Sequence, residues 1–325
     1  MSITQIDFSK VLDDAQIYDH IMKNYDLLGK DWMAHQWNWL NNVYWPFKDH
    51  YKYIILISLI EKTLQFYDQM KVVYSYDQYY SKSYLQIDKF SISELCEKLN
   101  LPKETIRRKV LELEKLGVIK RLNKKIIIDR SAFSLVKPEN QIKFTSKYVF
   151  LLSQILNKEK IISRKLDSKN IEIIIKKNFT LCWRWYFRMQ IPMILGYNKM
   201  FKDLATFHVW GSVCMNQAFN FSKTFDKNNI HTLTPDYVRF NKNLIQANKK
   251  NGVSAMSLSD MTGIPRATVI RKCKYLVDEG FITLDMRKQY GLTGININRV
   301  SPLQKEVFKN KAKFLRKLLN LCLIS

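Results

Sequence analysis

Arg108 and Arg271 stand 163 residues apart and share one approach: Pro102-Lys103-Glu104-Thr105-Ile106-Arg107-Arg108-Lys109 answers Pro265-Arg266-Ala267-Thr268-Val269-Ile270-Arg271-Lys272. A guanidinium in the first two turns of an exposed helix offers a planar fork of donors. That fork fits a guanine edge or a phosphate, and a bidentate guanine contact discriminates by about 1–3 kcal/mol. A threonine beside the free amides of a helix start suits phosphate positioning. The competing explanation is that these arginines are solvated helix charges, with Glu104 and Arg108 an i,i+4 pair.

The likeness extends beyond the arginines. Residues 95–119 align without a gap onto 258–282, and eight of the 25 positions are identical, Leu95 with Leu258 and Gly117 with Gly280 among them. Conservative exchanges fill in between, such as Ile106 with Val269 and Lys103 with Arg266. Such self-similarity is the mark of an internal repeat. Upstream the matches weaken. Leu56, Ile60, Leu64 and Tyr67 are answered by Trp210, Cys214, Ala218 and Phe221, and Trp37-x-Trp39 by Trp183-x-Trp185. A shared helical core pattern would explain these equally well.

The elements that must position the arginines follow from local signals. Ser91 and Glu94 read as a capping box opening a helix with Ile92, Leu95, Cys96 and Leu99 on one side. Asn100-Leu101-Pro102 breaks it, and a second helix starts at Pro102, a favourable first-turn residue. Gly117 supplies its stop. Ile106, Val110 and Leu113 form its apolar face, with Lys103, Glu104, Arg107 and Arg108 outside. Strands at 118–121 and 126–129 then form a hairpin with Lys124 and Lys125 at its tip. The second stretch repeats the plan, with Gly263 at the turn, Val269, Cys273 and Leu276 inward, and strands at 281–284 and 292–297 around Arg287 and Lys288.

SISELCEKLNLPKETIRRKVLELEKLGVIKR and SLSDMTGIPRATVIRKCKYLVDEGFI resemble the winged helix-turn-helix domains of bacterial regulators of the MarR-like and IclR-like kind. The second is the closer match, through Gly263 to Val269. The resemblance implies that the second helix of each stretch enters a major groove while the wing lies along the backbone or minor groove. It carries Lys103, Thr105, Arg107, Arg108, Arg266, Thr268, Ile270 and Arg271 over as groove-facing, with Lys124, Lys125, Arg287 and Lys288 on the wings. Those families usually hold one such domain per chain and dimerise. Here two occur in one chain, and they are unequal: Arg107 corresponds to Ile270 and Glu104 to Ala267. An apolar side chain suits a thymine methyl and arginine does not, so the expected target is an imperfect inverted repeat with half-sites about 10 bp apart or a multiple of it.

Charge agrees. The 325 residues carry 53 Lys and Arg against 29 Asp and Glu, a net +24, and so favour a polyanionic partner. The excess lies after residue 81: residues 1–81 hold 7 basic and 10 acidic side chains, residues 161–325 hold 28 and 10. With 40 Lys to 13 Arg, gene base composition would produce the same surplus, so charge alone does not decide.

Other chemistries find no support. Five cysteines lie more than thirty residues apart and five histidines are scattered, so reduced thiols and no metal are expected. No Walker loop, G-x-G-x-x-G, G-x-S-x-G or H-E-x-x-H is present, so neither an enzyme nor a cofactor is expected. The best apolar run, 53–60, contains Ser58 and ends at Glu61, short of the roughly 18 residues a span needs. Asp7, Asp13 and Asp14 occupy the place of a signal sequence's apolar core. A cytoplasmic, nucleoid-associated protein without membrane contact is expected.

The aromatic groups Trp32, Trp37, Trp39, Tyr44, Trp45, Phe47 and Trp183, Trp185, Tyr186, Phe187, Trp210 read as helical core and pseudo-dimer interface; the alternative is a pocket for a small-molecule effector. Tyr74 to Tyr84 reads as loop or strand. Segments 141–157 and 301–322 follow the wings and look amphipathic, through Phe150, Leu151 and Ile155 in one and Phe314, Leu315, Leu318 and Leu319 in the other; a mutual clasp and a plain cap on each domain are equally consistent.

The expected fold is mainly α with small β-hairpin wings, two winged helix-turn-helix modules in an internally duplicated, pseudo-dimeric chain. A helical segment with a Trp/Tyr-rich core (1–89) precedes module one (90–133). A helical connecting and pseudo-dimerisation region (134–252), module two (253–300) and a C-terminal helix (301–325) follow. The expected function is a sequence-specific, double-stranded DNA-binding transcriptional regulator, a monomer acting as a pseudo-dimer. The rivals are a replication initiator of the plasmid or phage type and a winged-helix scaffold that binds protein.

Overall fold

The structure, a computed structural model, describes residues 12–88, 91–123, 125–225, 240, 244–245, 252–293 and 297–325. It is mostly helical with two small antiparallel sheets. The elements are α1 (Asp14–Lys23), α2 (Tyr25–Tyr44), α3 (His50–Gln69), α4 (Tyr76–Tyr80), β1 (Tyr84–Ile87), α5 (Ile92–Leu99), α6 (Lys103–Lys115), β2 (Ile119–Leu122), β3 (Lys125–Asp129) and α7 (Arg130–Ser134). Then come α8 (Glu139–Lys158), α9 (Ser168–Lys177), α10 (Phe179–Phe201), α11 (Leu204–Phe225), α12 (Ala255–Thr262), α13 (Arg266–Asp278), β4 (Ile282–Leu284), β5 (Tyr290–Leu292) and α14 (Ile297–Ile324). Among the described residues no helix is long and apolar enough to cross a membrane.

Two compact units divide these elements, and neither is a continuous stretch of chain. One comprises Asn42–Ile142 and Ile173–Leu204; the other comprises Met1–Asn41, Lys143–Glu172 and Ala205–Ser325.

The first of these units is built on α3. Every residue from 53 to 61 is buried, as expected of a helix that is apolar all round. The most apolar run of the chain is therefore a core helix, and α10, α6 and β1 pack against it. Its single buried carboxylate in that run, Glu61, is met by Lys98 Nζ of α5 at 2.5 Å, which satisfies a group that would be costly to bury alone. The tyrosine-rich stretch resolves into α4, capped by Ser75, and β1; Tyr79 is buried against the rings of Phe133 and Phe179. β1 pairs with β3 and β3 with β2, giving sheet order β1-β3-β2. On α10, Trp183 stacks on Phe179 and Tyr186 with centroids 5.5 and 4.5 Å apart.

The other unit joins α2 to α11, where Trp37 Nε1 donates to Ser212 Oγ at 3.0 Å and the His208 ring meets Asn41 at 2.9 Å. α1 packs along α14, with Arg316 Nε on Asp14 Oδ1 at 2.6 Å. Lys311 of α14 is fully buried: its ammonium donates to the Tyr148 hydroxyl of α8 and lies 3.9 Å from the Trp32 and Tyr148 ring centres. Burial holds that amine well below its ordinary pKa. The post-wing helices α8 and α14 thus do meet, although Phe150, Leu151 and Ile155 are only half-buried and Val149, Leu152 and Leu156 face the core. Most of the aromatic groups are buried, as a core role requires; Trp45 departs from this at 53 % exposure, with Lys48 Nζ 3.0 Å over its ring.

Candidate nucleic-acid interface

Both proposed reading helices are thirteen residues long and begin after a proline in extended conformation, ψ 139° at Pro102 and 135° at Pro265. A left-handed residue ends the preceding helix at matching positions, Asn100 with φ 48° and Gly263 with φ 68°. Asparagine and glycine are the residues that tolerate this conformation. The inward triads Ile106, Val110, Leu113 and Val269, Cys273, Leu276 are all at 0 % exposure. Burial pushes the Cys273 thiol up to about 12, as befits a core group.

The stops match bond for bond. Gly117 and Gly280 both have φ 71°. Gly117 N donates to Glu114 O at 2.9 Å and Val118 N to Leu113 O at 3.0 Å; Gly280 N donates to Val277 O at 2.9 Å and Phe281 N to Leu276 O at 2.8 Å. Each is a Schellman motif, and in each the residue after the glycine is buried with the last apolar residue of the triad.

These frames fix the outward faces. On α6, Lys103, Arg107 and Arg108 are exposed and Thr105 is half-buried; on α13, Arg266, Ala267, Ile270 and Arg271 are exposed and Thr268 is half-buried. Among the described residues Lys103, Arg107, Arg266 and Arg271 are in no ion pair. Arg108 Nε lies 3.8 Å from Glu112 Oε1 with its side chain 65 % exposed. The intrahelical partner is therefore Glu112, one turn on, and not Glu104. At that distance and exposure the pair is weak and leaves the guanidinium free to re-aim.

Lys109, the third polar identity of the two stretches, is spoken for. Its Nζ sits 2.6 Å from Asp49 Oδ2 and 3.1 Å from Glu112 Oε2, and Lys52 Nζ reaches Glu112 at 2.9 Å. Asp49 also caps α3 by accepting from the Tyr51 and Lys52 amides. This network ties α6 to α3. Burial alone would lower the Lys109 ammonium, but hydrogen bonds to Asp49 and Glu112 outweigh it and hold its pKa above the ordinary value. Hydrogen bonding from Lys52 foremost holds the Glu112 carboxyl below its own.

The capping box of α5 is half-formed. Ser91 Oγ accepts from the Glu94 amide, but the Glu94 carboxylate turns away to Lys62 of α3 at 2.6 Å, where a full charge replaces a backbone amide as partner.

The wings differ. In the first, Leu122 opposes Lys125 across a two-residue turn with Asn123 at φ 57°. Lys124 lies outside the described residues. Lys125 Nζ is 3.2 Å from Asp88 with both side chains more than half exposed, and Arg121 is held by Glu114 at 2.5 Å. Lys120, exposed on β2, is a cation of this wing that hairpin-tip reasoning overlooked; the alternation of strand side chains would have exposed it. In the second wing, β5 is Tyr290–Leu292 and not 292–297, and Ile297 already opens α14. The reason is a five-residue loop, 285–289, organised by Asp285. Its Oδ1 accepts from the Arg287 and Gln289 amides, each at 2.9 Å, and its Oδ2 meets the Arg287 guanidinium at 3.0 Å. Arg287 and Lys288 are exposed at the tip. A single bridge from Val253 to Tyr290 stands where β1 pairs in the first module.

A cleft of about 340 Å³ opens beside the first module, with Trp45, Tyr53, Lys137, Asn140 and Gln141 among its walls. The Gln141 amide nitrogen is buried there without a hydrogen-bond partner. Among the described residues no group of three or more potential metal ligands occurs.

No curated protein and no solved structure matches the chain. Residues 83–125, from just before β1 to the first residue of β3, match the DeoR-like helix-turn-helix domain. The match falls on the first of the two stretches, and the domain it resembles is DeoR-like; it does not extend to the MarR-like or IclR-like tandem pair that the sequence suggested. It supports a DNA-binding transcription regulator with a winged helix-turn-helix module, and points to that role over an enzyme.

Proposed function

We propose that the chain is a sequence-specific regulator of transcription in which two winged helix-turn-helix modules, at 90–133 and 253–300, arose by internal duplication and act as a pseudo-dimer on duplex DNA. The observation that carries this is the recurrence of one frame at a fixed offset of 163: left-handed cap, proline start, apolar triad, glycine stop and hairpin.

The composition of the units adds support. In one unit α3 packs on α10, and in the other α11 meets α2. If α10–α11 repeats α2–α3, as Trp183-x-Trp185 and Trp37-x-Trp39 suggest, each repeat lends its first helix to the other. Two domain-swapped protomers would exchange them in the same way. Covalent linkage then removes the concentration-dependent association step, so binding survives dilution.

In this reading Lys103, Arg107 and Arg108 face one half-site and Arg266, Ile270 and Arg271 the other, with Thr105 and Thr268 on phosphates and Lys120, Lys124, Lys125, Arg287 and Lys288 along the backbone. The unequal pair Arg107 and Ile270 makes the half-sites unequal. The reading includes a small-molecule effector at the cleft beside Trp45, from which the turn to Asp49 and its hold on Lys109 is four residues long. The protein acts in the cytoplasm on the nucleoid.

The test is nuclease footprinting of the full chain on fragments it selects from random duplex DNA. One protected site of two unequal halves is expected, with Arg271→Ala relaxing base preference in one half by about 1–3 kcal/mol. Affinity should fall about 10³–10⁵-fold between 50 and 200 mM salt if six to ten phosphates are neutralised. An affinity indifferent to salt would assign the modules to a protein partner, and protection of iterated repeats would favour an initiator.

A further inference from the structure

Met286, at the tip of the second wing, is 99 % exposed; Ile173, the next most exposed large apolar side chain among those described, reaches 61 %. The loop that carries it is not loose. Besides the three ties made by the Asp285 carboxylate, Asp285 N donates to Gln289 O at 2.9 Å and Lys288 N to Asp285 O at 3.0 Å, with Lys288 left-handed at φ 58°. The amide of Gln289 first, and Arg287 with it, holds the Asp285 carboxyl below the ordinary carboxylate range. A thioether is thus presented to solvent on a preorganised support, with Leu284 half-exposed two residues before it and the cations Arg287 and Lys288 directly after. The first wing presents less: its turn is shorter, and its exposed apolar side chain among the described residues, Leu122, sits at the end of β2 at 43 % exposure.

An apolar side chain followed by two cations, the first of them paired with Asp285, on a hairpin beside a helix-turn-helix fits one chemistry on a duplex. The cations follow the phosphates, and the apolar group slips between two base pairs from the minor groove, unstacking that step and bending the axis by about 20–90°. We propose that Met286 is such a wedge and that the second module bends its half-site, while the first, with a shorter turn and only the less exposed Leu122, leaves its half-site nearly straight. This rests on the reading of the chain as a duplex-binding regulator. It adds a specificity element that touches no base edge, because flexible pyrimidine–purine steps kink most readily.

The experiment uses the full chain and the duplex it selects from random DNA, carrying donor and acceptor dyes at its two ends, with affinity and end-to-end distance measured together. The expected result is that wild type shortens the distance. Met286→Ala should abolish the shortening while weakening affinity about tenfold or less, and Met286→Leu should restore it. Replacing a TA or CA step under the second half-site by an A-tract should weaken wild type and leave Met286→Ala unaffected. Because Met286 touches nothing, helicity and melting temperature should not change in either variant. Bound DNA that stays straight with wild type, or that bends equally with Met286→Ala, overturns the wedge and leaves the duplex-binding reading intact. A change in oligomeric state with Met286→Ala and none in bend overturns it in favour of a contact between copies. Failure of wild type to bind any duplex overturns both.

Discussion

Glu112 of α6 and Tyr275 of α13 occupy the same place in two helices of equal length with the same proline start, an equivalent buried triad and the same glycine stop. Glu112 is the hub through which Lys52, Lys109 and Arg108 are gathered against α3; a tyrosine cannot serve that purpose. The contrast separates two layers of information. What makes the backbone is local, a handful of residues within twenty-five positions, and it is the same in both stretches. What fastens α6 to the rest of its unit is long-range, and there the two stretches differ. The exposed faces differ as well, in Arg107 against Ile270 and in a two-residue wing tip against a five-residue one.

The sharpest way to break this comparison is to damage the shared layer. Leu113→Ala and Leu276→Ala each empty a fully buried site and should cost about 2–5 kcal/mol. If the frames are equivalent the losses are similar and separable: hydrogen exchange should rise across 103–115 in one variant and across 266–278 in the other. A substitution that leaves its own helix protected would show that helix to be held by something other than its triad.

The reach of sequence reasoning follows the same division. α5, α6, α12, α13 and the first hairpin were legible because prolines, glycines and three-and-four spacing act within a turn or two of themselves. β1 was not, since Tyr84–Ile87 becomes a strand only by pairing with β3 some forty residues away. The Glu94 side of the capping box failed because Lys62, a residue of α3, competes for the carboxylate. The second wing's return strand was placed too late because the Asp285 turn closes the loop sooner than charge pattern implied. For the interface, the outward positions of Arg108 and Arg271 were readable, but the confinement of Lys109 to a structural role depends on Asp49 and could not be seen in a helical wheel.

A smaller effect probes the left-handed caps, where the two stretches solve one problem with different residues. Asn100 holds φ 48° and Gly263 φ 68°. A left-handed residue with a Cβ costs about 1–2 kcal/mol, and asparagine pays less than most because its side chain bonds locally. Asn100→Gly should therefore change stability by less than about 1 kcal/mol, and Gly263→Asn should be tolerated likewise. Gly263→Ala should lose about 1 kcal/mol or more. Melting temperatures of the three variants would check this, and an Asn100→Gly loss as large as the alanine loss would mean that Asn100 is a contact and not a cap.

The smallest effect is the most discriminating, because it should appear in one module alone. The Glu112 carboxyl is held below its ordinary value by Lys52 first and by Lys109, so the folded protein favours its charged form. Stability from this source is complete above the unfolded value of about 4.3 and is lost as pH falls through the lower folded value. Glu112 is one-third exposed, and the ion pairs around it are worth about 1 kcal/mol or less. The groups facing it are Lys52 of α3 and Arg108 and Lys109 of α6, and Asp49 shares Lys109, so protonating Glu112 leaves an excess of cations at that contact. Amide exchange in 103–115 should accelerate, after correction for its intrinsic pH dependence, as pH falls below about 4.3, while 266–278, with Tyr275 in that place, should not follow. Glu112→Gln should bring the same acceleration at neutral pH and flatten the acid response. Were both helices to loosen together in acid, the cause would lie in something they share, and the separate fastening of the first module would be the wrong account of their difference.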